Sequence, residues 1–220
     1  MGQHGDKARE ALLDAAEELF ARFGIDAVSN RRIAERAGTA NHSAVAYHFG
    51  GREELIRALV TRHTADTSRR RAELAAGLNP NPALPELLAC LILPWVEHLG
   101  SLPVPSWRAR FVYQLRAVPS MQEVLAGSVL ANPLTEDLIG RLEAATGELA
   151  PTTRYGRSWI LGNMVLGVSA EYEARIQDGA EKANWTGVGY FLIDASAGML
   201  SAPVTHPGDF LTQPSAVYLP

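Results

Sequence analysis

A single cysteine, Cys90, stands among the 220 residues, so no internal disulfide can staple the fold. Flanked by Leu88, Ala89 and Leu91, it reads as a buried structural thiol in a reducing compartment rather than as a reactive group. Long hydrophobic runs are equally scarce. The most apolar stretch, Leu87 to Val96, is short and interrupted by Pro94, and the polar N-terminus lacks the apolar core of a secretory signal. A soluble cytoplasmic protein with no membrane partner is expected. Convincing strands are missing too, since no segment from Pro82 onward alternates apolar with polar residues. Catalytic signatures are also absent: there is no HExxH, CxxC, GxSxG or phosphate-binding glycine loop, and Gly187-Val188-Gly189 falls inside an apolar helical pattern with no strand before it. His42 and His48 stand six apart on a short helix and point to different faces, while His63 and His98 stand alone with structural roles. No enzymatic activity, metal or cofactor is expected.

Positive charge is in short supply overall, with a formal net charge of −4, which argues against broad adhesion to nucleic acid. Its distribution is uneven. Residues 1–71 carry a net +2 and residues 72–220 a net −6, and within 29–49 three arginines (Arg31, Arg32, Arg36) face one acid, Glu35. A domain that touches DNA through one surface fits this pattern.

What the chain does have is helical periodicity. Leu12, Ala15, Ala16, Leu19, Phe20 and Phe23 recur at helical spacing and predict a helix from about 7 to 23, ended by Gly24. Ile25 and Val28 can plug the junction that follows. Ser29 can cap a second helix bearing Ile33, Ala34 and Ala37, and Gly38 closes it. Asn41 can cap a third that runs to Phe49, so three helices can enclose a core of Leu12, Phe20, Ile33, Val45 and Phe49. Helix, tight turn with glycine, helix is the helix-turn-helix signature. After Gly50-Gly51, one longer helix is expected from Arg52 to about Leu74, with Glu53 and Glu54 at its positive end and an Arg69-Arg70-Arg71 run on a solvated face. Further helices are expected at 83–99 (kinked near Pro94), 106–118, 121–131, 133–145, 152–177 and 184–200. Ser120 to Glu123 forms a capping box, and Pro133 and Pro151 mark helix starts. The fold class is therefore all-α. A helix-turn-helix DNA-binding domain (1–51) is joined by the long helix to a larger helical effector-binding and dimerisation domain (52–202), and a Pro-rich tail follows (203–220).

A helix entering the major groove needs a short polar outer face for base edges and flanking donors for phosphates. Thr39, Asn41, His42, Ser43, Tyr47 and His48 supply that face, beside the small Ala44 and Ala46. Asn41 and His42 suit purine edges. Tyr47, His48 and Arg52 suit phosphates, with Arg31 and Arg32 adding contacts from the preceding helix, whose start Ser29 fixes.

The segments REALLDAAEELFARFG, IAERAG and AYHFGGREELI, in this order over about residues 7–60, resemble the tetracycline-repressor (TetR) type of bacterial transcription regulator. Between Gly38 and Phe49 the chain is one residue longer than the common pattern, with Ala46 where the usual phosphate-contacting tyrosine stands and Tyr47 beside it. The resemblance implies a homodimer on palindromic double-stranded DNA, an effector pocket in each C-terminal domain, and the last two long helices as the interface. The sequence adds its own case for that interface, because Leu166, Gly167 and Ala170, and Val188, Phe191, Leu192, Ala195 and Met199, repeat at helical spacing and mix small with large side chains.

For the unknown small-molecule effector, the aromatic-rich segment from 105 to 118 supplies Trp107, Arg110, Phe111, Tyr113 and Gln114. Trp95, His98, Met121, Trp159 and Asn163 complete the expected walls. Ligand binding would shift the dimer geometry away from the operator spacing, with Pro94 a place for the bend. An all-helical small-molecule-binding protein or enzyme with an incidental helix-turn-helix, and a helical protein-interaction module, are the alternatives.

Overall fold

The computed structural model describes residues 3–118, 121, 132–147 and 149–205 and is helical, with no strand among them. Apart from Met121, the expected helix at 121–131 lies outside the described residues, as do its capping box and the tail beyond 205.

The first helix, α1 (Gln3–Phe23), buries Leu12, Ala16 and Phe20 on one stripe, as their spacing predicts. Gly24 then takes a positive φ, and Ile25 and Val28 turn into the core. Ser29 caps α2 (Asn30–Arg36) by accepting the Arg32 N–H at 3.2 Å. At its far end Gly38 adopts φ +74, so that its N–H reaches the Glu35 carbonyl and the Thr39 N–H reaches the Ala34 carbonyl, the paired bonds of a Schellman stop. The short α3 (Ala44–Phe49) ends on Gly50 in the left-handed region. Leu12, Phe20, Ile33 and Val45 are buried together as expected, while Phe49 is half-buried beneath the Arg9 guanidinium.

The expected single helix from 52 to 74 is two: α4 (Arg52–Thr61) and α5 (Thr64–Ala76), parted at Arg62 and His63. Three threonines explain why periodicity missed the break. The hydroxyls of Thr61, Thr64 and Thr67 each donate to a carbonyl of the preceding turn, loosening a stretch that apolar spacing alone would carry through. A buried arginine from outside the stretch takes the carbonyls left at the end of α4. The arginine run on α5 is also not simply solvated. Arg70 pairs with Glu97 at 2.6 Å, and Arg71 is buried with Nη1 3.4 Å from the Thr135 hydroxyl.

The remaining helices are α6 (Leu84–Ser101), α7 (Arg108–Arg116), α8 (Pro133–Ala145), α9 (Pro151–Gln177) and α10 (Trp185–Ser201). Nearly every residue of α6 from Leu87 to Leu99 is buried, including Cys90, whose thiol desolvation pushes to a higher pKa. The helix continues through Pro94 as one segment. Along it lies α10, close enough that a Cβ on Gly189 would come within 2.7 Å of Val96. Trp95 donates to the Ser169 hydroxyl at 3.1 Å, tying α6 to α9, and Phe20 stacks on Phe111 at 6.1 Å, tying α1 to α7. Helices α9 and α10 run antiparallel: Tyr172 meets Trp185 at one end, and Arg157 donates to the Leu200 carbonyl at the other. No described helix is long and apolar enough to cross a membrane.

Candidate nucleic-acid interface

The turn between α2 and α3 is built by its own polar side chains. Thr39 Oγ1 accepts from the Asn41 N–H at 3.2 Å, and Asn41 Oδ1 accepts from the Ser43 N–H at 2.9 Å. Asn41 therefore opens a turn rather than capping the helix, and α3 begins only at Ala44. The reason is local: an asparagine side chain bonding two residues on closes a tight turn in place of the first helical turn. Asn41, His42 and Ser43 are exposed on this turn, one step ahead of the helix on which sequence reasoning put them.

Beyond the turn, Ala44 and Val45 face inward while Ala46 and Tyr47 face solvent. Tyr47 is 80% exposed, its ring edge-on to His48 at 4.9 Å, so the phenol projects freely beside a half-buried imidazole. Arg31 is exposed and pairs with Glu35 at 2.8 Å, a contact on the protein surface that a phosphate could replace at small cost. Arg32 is exposed with its guanidinium 3.9 Å over the Phe23 ring. Arg36 reaches back to Glu18 on α1. Ser29 serves as the cap and holds the start of α2 in place.

Arg52 is turned the other way. Its guanidinium donates to the Ile25 carbonyl and, at 3.4 Å, to Asn30 Oδ1, lies over the Phe20 ring, and has its pKa lowered by burial. It braces the junction between α1 and α2 from inside. The outward cations of this face are Arg31 and Arg32.

The described clefts gather only some of the expected pocket residues. Trp95, His98 and Phe111 are buried in the helical body, Tyr113 and Trp159 are 44% and 47% exposed, and Met121 packs half-buried on the core. Asn163 donates to the Trp159 carbonyl of its own helix, and Gln114 is half-buried. Trp107 and Arg110 do meet, the guanidinium 4.3 Å over the indole, at an open cleft of about 520 Å³ shared with Arg22, Phe23 and Gln177. A second cleft of about 510 Å³ lies between α1, the end of α4 and the segment before α7, with Asp14, Glu17, Arg62, His63 and Trp107 in its walls. Behind it the His63 and His98 rings sit 4.7 Å apart. Burial, then Arg108, His98 and Arg62, press His63 down to about 3, so it stays neutral at physiological pH. Among the described residues no group of three or more His, Cys, Asp or Glu side chains could hold a metal.

On the last two helices, Leu166, Leu192 and Ala170 belong to the buried side of the chain's own packing. Gly167, Val188, Ala195 and Met199 are half-buried, and Phe191 is 64% exposed. Trp159, Ile160 and Tyr190 join it as large exposed side chains on this pair. Sequence reasoning also passed over Arg108, the buried arginine at the end of α4; nothing in its neighbourhood distinguishes it from the aromatic-rich segment it begins.

Residues 12–59 match the family described as bacterial regulatory proteins, tetR family. A crystal structure assigned to a TetR-family transcriptional regulator from Rhodococcus sp. is 21% identical, covers 89% of this chain and 100% of that one, and superposes with a TM-score of 0.50, a likeness of fold. No curated protein matches the chain.

Proposed function

Starting from a tetR-family N-terminal domain at residues 12–59, we propose that this protein is a DNA-binding transcriptional regulator that acts as a homodimer and releases its operator when a small molecule binds the helical region. The observation that carries the DNA reading is the exposed turn and helix from Thr39 to Tyr47. Its outward side chains are short or polar, its inward ones, Ala44 and Val45, anchor it to the core, and Arg31 and Arg32 flank it. Asn41 Nδ2 and His42 are the groups offered to base edges, while Tyr47, His48, Arg31 and Arg32 grip phosphates. The dimer reading rests on Trp159, Ile160, Tyr190 and Phe191, exposed aromatic and apolar surface on a helix pair that a symmetry mate would complete as a four-helix bundle.

In this reading, release acts through spacing. Two recognition helices in one dimer must sit roughly 34 to 36 Å apart to enter successive major grooves, so a ligand that favours another spacing lowers affinity without touching DNA. The test is selection of bound duplexes from a random library, followed by competition at about 150 mM salt. An enriched palindrome preferred over random duplex is expected. Equal binding to both would overturn the reading.

A further inference from the structure

The carbonyls at the end of α4 are gripped by a side chain from the helical body. Arg108, buried at the start of α7, donates through Nη1 to the Leu59 carbonyl at 2.7 Å and through Nη2 to the Val60 carbonyl at 3.1 Å, while Nη1 also lies 3.3 Å from Glu17 Oε1 on α1. These are carbonyls that a helix end leaves without intrahelical partners. The start of α7 is fixed in turn by Glu173 of α9, itself only 3% exposed. This carboxylate accepts from the Ser106 hydroxyl at 2.8 Å, from the amides of Ala109 at 3.0 Å and Arg110 at 3.1 Å, and from Arg110 Nε at 3.0 Å. An unbroken line of charge-assisted bonds therefore runs from α9, one of the two helices with exposed aromatic surface, through the first turn of α7 to α4 and α1, the helices that carry the helix-turn-helix.

We propose that Arg108 is a positioning residue that sets the orientation of the helix-turn-helix unit relative to the helical body, and that displacement of the first turn of α7 is the movement that releases it. Three features support this. The guanidinium is planar and its two terminal nitrogens hold successive carbonyls, so α7 cannot shift past α4 without losing at least one bond. The break at Arg62 and His63 separates α4 from α5, so the angle between these two helices can change without bending either. The clamp is also poorly compensated. Among the described residues Arg108 Nε has no partner, and both Arg108 and Glu17 are withdrawn from water, so the pair carries a desolvation cost that its bonds must offset. The consequence for DNA rests on the regulator reading above; the clamp itself does not.

The experiment reads orientation without DNA. Spin labels at Ala46→Cys on α3 and Glu171→Cys on α9 are measured by pulsed dipolar spectroscopy in the full chain, diluted with unlabelled protein so that only intrachain distances count. The parent protein should give one narrow distribution, and Arg108→Gln should broaden or shift it by several ångströms. Arg108→Lys, which restores charge but not the fork, should restore it only in part. Ser169→Ala, which strips Trp95 of its partner inside the body, should leave the distribution unchanged. Where Arg108→Gln does not fold, Glu173→Gln tests the same line from its other end and should broaden the distribution too. A folded Arg108→Gln or Glu173→Gln variant with the parent distribution overturns the proposal, as does an equal broadening by Ser169→Ala. On the selected duplex, Arg108→Gln should change affinity by about tenfold. If selection enriches no sequence, the regulator reading fails while the distance result still decides the clamp.

Discussion

Arg52 illustrates how one side chain can satisfy a motif and serve a different end. Its position after Tyr47, His48 and Phe49 fits a phosphate-binding group, yet its guanidinium donates inward to the Ile25 carbonyl and Asn30 and lies over Phe20. Arg52→Ala should therefore lower stability by about 1 to 2 kcal/mol, the cost of losing part-buried hydrogen bonds from a charged donor, and leave the salt dependence of duplex binding unchanged. Urea denaturation and a salt titration together check this; a slope reduced by about one, with stability intact, would return Arg52 to the phosphates. The residue types for this face were legible, because capping serine, turn glycine and exposed polar side chains follow local rules. Where a long side chain points was not. Arg31, Arg32 and Arg52 look alike in a sequence, and only the packing of α1 against α2 turns one of them inward. Arg108 escaped notice for the same reason: its partners lie 48 to 91 residues away, beyond any periodicity.

At the scale of elements, apolar spacing located nearly every described helix and missed the interruption at Arg62 and His63. The hydrophobic stripe of α4 and α5 reads as continuous, while the break is made by threonine hydroxyls and by an arginine from α7. Start and stop signals were dependable where they closed bonds locally, as Ser29 and Gly38 do. Asn41 also closed a bond locally, but as a turn, and so delayed α3. Contact between α6 and α10 gives a direct test of packing. Gly189→Ala would drive a methyl against Val96 and Leu93 and should cost about 1 to 3 kcal/mol. Gly140→Ala on α8 meets nothing within 4 Å and should gain about 0.5 to 1 kcal/mol through lost chain entropy. Thermal melts of the two variants moving in the same direction would refute this account of the α6–α10 seam.

For the whole molecule, the exposed surface of α9 and α10 is the feature that a single chain leaves unexplained. Trp159, Ile160, Tyr190 and Phe191 lie open on helices that also bury Leu161, Val165, Leu166, Leu192 and Ile193 within the chain. Phe191→Asp should give a monomer by sedimentation with helical content retained, since the side chain is 64% exposed. A persistent dimer would place the interface elsewhere. The sequence suggested this pair of helices through its small residues, yet Leu166 and Leu192 proved to be internal, because spacing marks a helix face without saying which neighbour covers it. The lone cysteine has a use that follows from its setting. Cys90 sits at 1% exposure in the middle of α6, with a thiol pKa raised by burial. It is thus a silent clock inside the body: alkylating reagents mark it only when the body opens, so the modification rate times global unfolding, while cysteines introduced on the surface can be labelled without first removing it.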